Sequence, residues 1–277
     1  MRRKPGQERS LHARRPRLSY SSYMPNLAPQ LPWLAPGTDF PNPSRAWGAD
    51  TPAPGLLAAG GSLDIDTLQH AYSQGIFPWF NEGQPVLWWS PDPRMVLQTA
   101  QFVLHPSLKK TIRRFVRTSE CEIRFDTAFR EVIQACAGSV RSGQAGTWIL
   151  PPMIEVYCEL HHAGLAHSVE TWMNGKLVGG LYCVALGKAV FGESMFSLVT
   201  DASKIALTAL VAFCRQHDIQ QVDCQQNTGH LASLGAKEVR RAQFLAGVST
   251  ALHHPAPTWQ FDPLYWALIL PSGSTTT

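Results

Sequence analysis

The sequence feature that most limits the fold is an Asn174-Gly175 dipeptide set between two apolar stretches. Residues 166–172 and 176–186, on its two sides, have the composition of β-strands. Asn-Gly favours a two-residue hairpin turn, because both residues tolerate the positive φ that the turn requires. The Gly187-Lys188 pair predicts a second turn, which leads into the apolar segment AVFGES. Together these signals predict an antiparallel meander of three strands.

Helices and further strands are predicted on both sides of the meander. Apolar residues at helical spacing, with Asp, Pro or Gly at the ends, predict helices at residues 64–75, 106–117, 129–138, 151–164 and 202–217. Short strands are predicted at residues 121–125 and 219–224. Several antiparallel strands followed by a helix and a further strand are typical of an α/β or α+β fold.

The first 20 residues hold most of the positive charge. They contain seven Lys and Arg residues against Glu8 alone, a net of +6, so the rest of this +4 chain sums to −2. A basic segment with prolines at positions 5 and 16 is typical of a disordered extension, and weak nucleic-acid binding is the functional alternative. We therefore expect residues 1–30 to be a disordered, accessory extension.

The remaining composition indicates a reduced protein of the cytoplasm. The six cysteines form no Cys-x-x-Cys pair, which favours buried thiols over disulfides or a zinc site. No apolar run reaches the roughly 18 residues needed to span a bilayer. The N-terminus also lacks the apolar stretch of a secretory signal. We expect a cytoplasmic protein without a bound metal.

Three segments place polar residues beside apolar strand ends. They read GIFPWF with LWWSPDPR, then FGESMFS with DASK, then VDCQQNTGHLASLG. Glu193 lies in a strand that otherwise has the pattern of burial, and Asp223 follows the apolar Val222. Carboxylates are rarely buried without a partner or a task. These two are therefore candidate catalytic residues, and the alternative is that each caps a helix or pairs with a surface lysine.

Six motifs, in order, form a recognisable set: GGSLDIDTLQHAYSQGIFPWF, LWWSPDPR, GTW, FGESMFS, ASK and DCQ...HLASLGA. The set resembles that of the bacterial leucyl/phenylalanyl-tRNA-protein transferases, over residues 55–250. The resemblance implies an aminoacyltransferase that moves leucine or phenylalanine, with methionine as a further donor, from tRNA to the N-terminal amine of an acceptor protein. The acceptors would start with Arg or Lys, and the transfer would mark them for degradation as N-degrons.

The resemblance also implies how the chain is divided. A small N-terminal domain would cover residues 31–95, a domain resembling the N-acetyltransferase (GNAT-like) fold residues 96–255, and a tail residues 256–277. In those acetyltransferases a glycine-rich loop holds the pyrophosphate of coenzyme A, whereas the corresponding connection here reads ESMFSLVTDASK. This suits an acyl donor other than coenzyme A. We expect no cofactor, and a monomer.

Residue roles follow from the same resemblance. Trp79 and Trp148 would hold the 3′-terminal adenosine and the aminoacyl group, since exposed bases stack well on aromatic rings. The rest of the substrate pocket would be formed by Leu181, Ser194, Leu207 and Leu210. At the reaction centre Asp223 would accept a hydrogen bond from the attacking amine, and Gln225 would align that amine or the ester carbonyl. Glu193 would favour an N-terminal Arg or Lys.

The helix predicted at residues 106–117 has an apolar stripe and an otherwise basic surface. The stripe consists of Leu108, Ile112 and Phe115. The basic residues around it are Lys109, Lys110, Arg113, Arg114 and Arg117. We expect these to contact the tRNA acceptor stem, and the alternative is a basic face that is merely solvated.

Two other functions stay open. A peptidoglycan-type aminoacyltransferase also uses charged tRNA on a similar fold, but GIFPWF and WWSPDP disfavour it. A non-enzymatic tRNA-binding module would explain the basic helix and the basic extension. It would leave Glu193 and Asp223 without a purpose.

Overall fold

Two β-sheets organise the part of the chain that the computed structural model describes, residues 30–139 and 149–270. The small sheet contains β1 (Trp33–Leu34), β2 (Leu56–Gly60), β3 (Phe77–Pro78) and β4 (Leu87–Trp89), in the order β1-β2-β4-β3. Helix α1 (Ile65–Ser73) connects β2 to β3. Asp64 caps α1 as predicted, because its carboxylate accepts a hydrogen bond from the Thr67 N–H at 2.8 Å.

The large sheet has seven strands. They are β5 (Arg94–Gln98), β6 (Cys121–Phe125), β7 (Ala166–Met173), β8 (Lys176–Leu186), β9 (Ala189–Ser197), β10 (Gln221–Gln225) and β11 (Lys237–Val239). Their order is β11-β5-β10-β9-β8-β7-β6. Every neighbouring pair is antiparallel except β9 and β10, which are parallel.

Six more α-helices surround the sheets in the described residues. They are α2 (Pro106–Arg117), α3 (Phe129–Ala137), α4 (Pro151–His162), α5 (Ala202–Gln216), α6 (Gly229–Ser233) and α7 (Arg241–Leu252). Short 3₁₀ helices cover Pro43–Arg45, Thr99–Gln101 and Pro263–Leu268. No described helix has the length and apolar character that crossing a membrane would require.

The predicted meander is confirmed. Asn174 and Gly175 both have positive φ, 51° and 68°, and Met173 pairs with Lys176 across the turn. Leu186 pairs with Ala189 across the second turn, at Gly187. The mixed α/β fold class is confirmed as well, and all six cysteines are free.

Two apolar clusters lie on opposite faces of the large sheet. Along β8, Tyr182 and Val184 belong to one cluster, and Leu181 and Cys183 belong to the other. This alternation follows from the two-residue period of a strand. The first cluster continues into the small sheet and helices α1, α3, α4 and α7, while α2 and α5 pack in the second.

The residues described from Leu31 onward form one compact unit. The division into domains at residues 31–95 and 96–255, with a tail at 256–277, stays a prediction. In the described part of that tail, the Trp259 ring stacks on the His167 ring at 4.0 Å, and Trp266 is buried. The predicted disordered extension lies outside the described residues, except for Gln30.

Candidate active site

The candidate site lies where β9 and β10 separate. The two strands pair only at Val190 with Val222 and at Phe191 with Asp223. Beyond these pairs β10 has a bulge between Asp223 and Gln225, in its register with β5. A cavity of about 400 Å³ lies there, lined by residues of both strands. A parallel pair that ends early therefore creates a pocket inside an otherwise antiparallel sheet.

The lining of the cavity combines apolar and polar residues. The apolar residues include Phe77, Trp79, Leu181, Met195, Leu207 and Leu210. The polar residues include Glu193, Ser194, Asp223, Gln225, Thr228 and His230. The structure thus brings together all the predicted catalytic and substrate residues except Trp148, which lies outside the described residues.

Glu193 is enclosed by protein but keeps some accessible surface on the cavity. Its Oε1 accepts a hydrogen bond from Gln225 Nε2 at 3.0 Å, and its Oε2 accepts one from the Tyr157 hydroxyl at 3.3 Å. Burial, which disfavours the anion, raises the pKa of Glu193 to about 7. The Asp223 charge also raises this pKa, whereas hydrogen bonds from Tyr72, Gln225 and Tyr157 oppose the rise.

Two fully buried tyrosines support Glu193, and neither was predicted from the sequence as a site residue. Tyr72 of α1 and Tyr157 of α4 share a hydrogen bond of 2.5 Å between their hydroxyl oxygens. Burial, with the Glu193 charge added, raises the pKa of both hydroxyls well above the usual value. Both therefore stay protonated and act as hydrogen-bond donors. In sequence Tyr72 is one of several apolar-face residues of α1, so its pattern predicts only burial.

Asp223 is paired with a buried arginine. Arg94 donates from Nε to Oδ1 at 2.8 Å and from Nη2 to Oδ2 at 2.6 Å. The two side chains are 0% and 1% exposed, so no lysine at the surface is involved. Arg94 was not predicted from the sequence, although it ends the LWWSPDPR motif and three apolar residues follow it in β5.

Gln225 connects the two carboxylates. Its backbone N–H donates to Asp223 Oδ1 at 2.9 Å, and its side-chain amide donates to Glu193. Its φ of 59° lies in the left-handed region, which is uncommon for a residue other than glycine. The bulge and this contact with Asp223 hold the Gln225 amide against Glu193.

The basic residues of α2 form a second feature, the basic groove, defined by Lys109, Lys110, Arg113, Arg114 and Arg117. The predicted apolar stripe is confirmed, because Leu108, Ile112 and Phe115 are buried. Within the described residues, no carboxylate forms an ion pair with any side chain of the basic groove. The groove thus presents positive charge that the described part of the protein does not neutralise.

An apolar pocket beside a carboxylate and an amide has room for an acyl group and polar partners for an amine, the two reactants that acyl transfer brings together. A family model described as leucyl/phenylalanyl-tRNA protein transferase matches residues 96–249, and the model of that family's N-terminal domain matches residues 61–92. The chain belongs to the leucyl/phenylalanyl-tRNA protein transferase family, and it is an aminoacyltransferase. The resemblance seen in the motifs is confirmed.

Individual relatives are similar over most of their length. The chain is 63% identical to the leucyl/phenylalanyl-tRNA--protein transferase of Albidiferax ferrireducens, over 92% of this chain and 100% of the relative. It is 60% identical to that of a Polaromonas species, over 91% of this chain and 99% of the relative. For Leptothrix cholodnii the identity is 57%, over 86% of this chain and 94% of the relative.

Similar solved structures include a GCN5-related N-acetyltransferase from Kribbella flavida and FemX. The acetyltransferase is 12% identical, the match covers 60% of this chain and 58% of the acetyltransferase chain, and the TM-score is 0.31. FemX is 10% identical and covers 64% of this chain and 68% of its own, with a TM-score of 0.40. Both likenesses are weak.

Proposed function

We propose that this chain transfers leucine or phenylalanine from its tRNA to the N-terminal amine of an acceptor protein. The observation that carries the proposal is that one cavity is lined both by large apolar side chains and by the hydrogen-bonded Glu193–Gln225 pair. Moving an apolar aminoacyl side chain from water to the apolar residues of the cavity lowers the free energy of the bound donor. An amine is at the same time attracted to the carboxylate and the amide. The names of the relatives support leucine and phenylalanine as donors.

The reaction requires one bond to form and one to break. The amine nitrogen attacks the ester carbonyl carbon of the charged tRNA, and a C–N bond forms as the C–O bond to the ribose breaks. The proton lost by the amine ends on the ribose hydroxyl that leaves. Because the ester is already activated, holding the two reactants together supplies most of the rate enhancement.

The contacts in the cavity favour distinct roles for the three polar residues. Gln225 donates from its Nε2 to Glu193, so the Oε1 of Gln225 can accept a hydrogen bond from the attacking amine. Asp223 was expected to contact that amine itself. Its Oδ1 already accepts from Arg94 and from the Gln225 N–H, so we propose that it acts by positioning Gln225.

Trp79 is proposed to stack on the terminal adenosine. It lies in the cavity wall, and its ring packs edge to face on Trp89 at 5.5 Å. The Trp89 Nε1–H donates to the Trp79 carbonyl at 2.7 Å, which fixes the backbone of the segment. A rigid ring loses little entropy when a base stacks on it. The same role for Trp148 stays a prediction.

Glu193 is proposed to select acceptors that begin with Arg or Lys. A pKa of about 7 makes its carboxylate mostly anionic above neutral pH. An enclosed anion attracts a cationic side chain more strongly than an exposed one, because little water screens the pair. Acceptors modified in this way would be marked for degradation as N-degrons. We propose that the protein acts as a monomer in the cytoplasm.

The basic groove is proposed to bind the acceptor stem of the tRNA. Phosphate contacts carry no sequence information, so different leucine and phenylalanine tRNAs would bind alike. Each contact releases counterions, and binding would therefore weaken as salt rises. The absence of ion-pair partners for the basic groove within the described residues supports this proposal.

One assay separates the possible functions. The protein is incubated with Phe-tRNA, labelled in the phenylalanine, and a peptide that starts with Arg. Label in this peptide, and none in a copy with an acetylated N-terminus, supports the proposal. Binding of tRNA without transfer would indicate an RNA-binding module. Transfer to a cell-wall precursor but not to the peptide would indicate the peptidoglycan-type reaction.

A further inference from the structure

A closed ring of hydrogen bonds joins the end of α1 to the reaction centre. It runs from the Gly75 carbonyl through Arg94, Asp223, Gln225, Glu193 and Tyr157 to Tyr72. Tyr72 and Gly75 are three residues apart, so the ring begins and ends at the same place in the chain. The segment that follows Gly75 contributes Phe77 and Trp79 to the lining of the cavity. The ring therefore connects the segment that carries Trp79 with the Glu193–Gln225 pair.

Arg94 connects the two ends of this ring of hydrogen bonds that lie furthest apart in sequence, the segment after α1 and strand β10. Besides its two bonds to Asp223, its Nη1 donates to the Gly75 carbonyl at 3.1 Å. Its guanidinium lies over the rings of Phe77 and Phe244, at 4.7 and 4.5 Å from their centroids. A planar guanidinium can hold a carboxylate with two parallel bonds and still donate elsewhere, whereas a lysine ammonium is a compact charge that lacks this fork. Asp223, the Gly75 carbonyl and two aromatic rings thus hold Arg94 in place.

The positive charge of Arg94 lies beside Asp223, one of the two carboxylates of the cavity. Asp223 raises the pKa of Glu193, and the guanidinium beside Asp223 offsets that negative charge. The groups that act on Glu193 are Tyr72 from α1, Tyr157 from α4, and Asp223 and Gln225 from β10. Without Arg94, two unneutralised carboxylates would share one site, and the pKa of one of them would rise strongly.

We propose that Arg94 is a positioning residue for the transfer reaction. It holds Asp223, and through it the amide of Gln225, in register with the segment that carries Trp79, and it touches neither substrate. This inference rests on the proposed function, because it assigns Trp79 to the donor and Gln225 to the attacking amine.

The test compares Arg94→Lys with Arg94→Met in the peptide-transfer assay across the neutral pH range. Arg94→Lys keeps the positive charge but loses the fork. Its kcat should fall about 100-fold, the effect of a misplacement near 1 Å. KM for Phe-tRNA should stay within about twofold, and the pH midpoint of KM for the Arg-starting peptide should not move. In Arg94→Met the kcat should also fall. The pH midpoint of KM for the Arg-starting peptide should move upward, because Glu193 then shares the site with an unpaired Asp223.

A second variant separates positioning from folding. Replacing a buried ion pair by apolar residues is often neutral for stability. Arg94→Met combined with Asp223→Leu leaves no unpaired buried charge, so it should melt at a higher temperature than Arg94→Met alone, yet its kcat should stay about 100-fold low. Recovery of kcat in this double variant would overturn the inference, because the ring would then be dispensable.

The control is Arg124→Lys, which weakens an exposed pair with Glu122 on the edge strand β6. It should transfer at the wild-type rate. If the wild-type protein does not transfer phenylalanine at all, the proposed function fails. If the wild type transfers and Arg94→Lys keeps its kcat within about threefold, a loss far below that of a misplaced reactant, the proposed function stands and the inference alone is wrong.

Discussion

At the residue scale, Glu193 and Asp223 are two carboxylates of one cavity with opposite surroundings. Asp223 is bound by a guanidinium, whereas Glu193 has only neutral donors, the Gln225 amide and the two tyrosine hydroxyls. A paired buried carboxylate holds its neighbours in place, and an unpaired one with a pKa near 7 can respond to a cation or a proton. The two residues therefore need separate tests.

Substitution of the Asp223–Gln225 unit should slow the chemical step. Gln225→Ala removes the amide that we expect to align the amine, and Asp223→Asn weakens the fork with Arg94. Each should lower kcat by about 100-fold or more, with little change in affinity for Phe-tRNA. Single-turnover transfer rates and filter binding of Phe-tRNA measure the two quantities. Near-normal transfer in both variants would remove this unit from the mechanism.

Glu193→Gln should chiefly affect the acceptor and its pH dependence. The pKa of Glu193 is raised, to about 7, so the anion that attracts an Arg-starting peptide forms as pH rises through that value. In the wild type, KM for this peptide should therefore increase as pH falls through about 7. The Gln variant should have a high KM at every pH and lack this transition. The ionisation of the acceptor amine, with a pKa near 8, should still appear in both proteins. A loss of Phe-tRNA binding instead would contradict the assigned role.

At the element scale, local signals in the sequence predicted the meander but not the pocket within it. Asn174-Gly175 encodes its turn in two adjacent residues, so the register of β7 and β8 follows from local chemistry. The early end of the β9–β10 pairing depends on contacts between strands that α5 separates in sequence. The partner of Asp223 lies 129 residues away, so spacing could identify Asp223 as unusual and could not identify Arg94.

Two glycines with similar backbone angles provide a matched test of the segment after α1. Gly75 has a φ of 67° and Gly175 a φ of 68°, so alanine at either position is strained, by about 1 kcal/mol or more. An added Cβ at Gly175 meets nothing within 4 Å, whereas at Gly75 it would lie 2.4 Å from Leu245 Cδ2 and 2.8 Å from Phe244 Cε1. Overpacking of this kind costs about 1–3 kcal/mol more.

Gly75→Ala should therefore lower both the melting temperature and the transfer rate, because the Leu245 and Phe244 side chains must shift and the Gly75 carbonyl is a partner of Arg94. Gly175→Ala should lower the melting temperature by less and leave kcat unchanged. Thermal melts and transfer assays on the two variants measure this. Equal effects on kcat would show that the Gly75 segment has no special connection to the reaction.

At the scale of the whole molecule, the protein must bind a charged tRNA, a large anionic donor, although the proposed reaction takes place in a small pocket. The cavity is about 400 Å³, enough for an aminoacyl group and part of an adenosine, so affinity for the remainder of the tRNA must come from the surface. The net charge of +4 is too small to attract RNA by itself, and its distribution matters more. The basic groove of α2 is suited to this, because none of its side chains has an ion-pair partner in residues 30–139 or 149–270.

Loss of one charge from the basic groove should weaken the binding of Phe-tRNA and change its salt dependence. Lys110→Ala and Arg114→Ala should each reduce the slope of log K against log salt by about one unit, since one fewer phosphate contact releases fewer counterions. Transfer at saturating tRNA should stay near normal, because these residues are not part of the cavity. Replacement of Arg2 and Arg3 by alanine is the control, and it should do far less, because the proposed phosphate contacts lie on α2. If the groove variants keep the full slope and the Arg2 and Arg3 variant loses it, the tRNA surface is the extension and not α2.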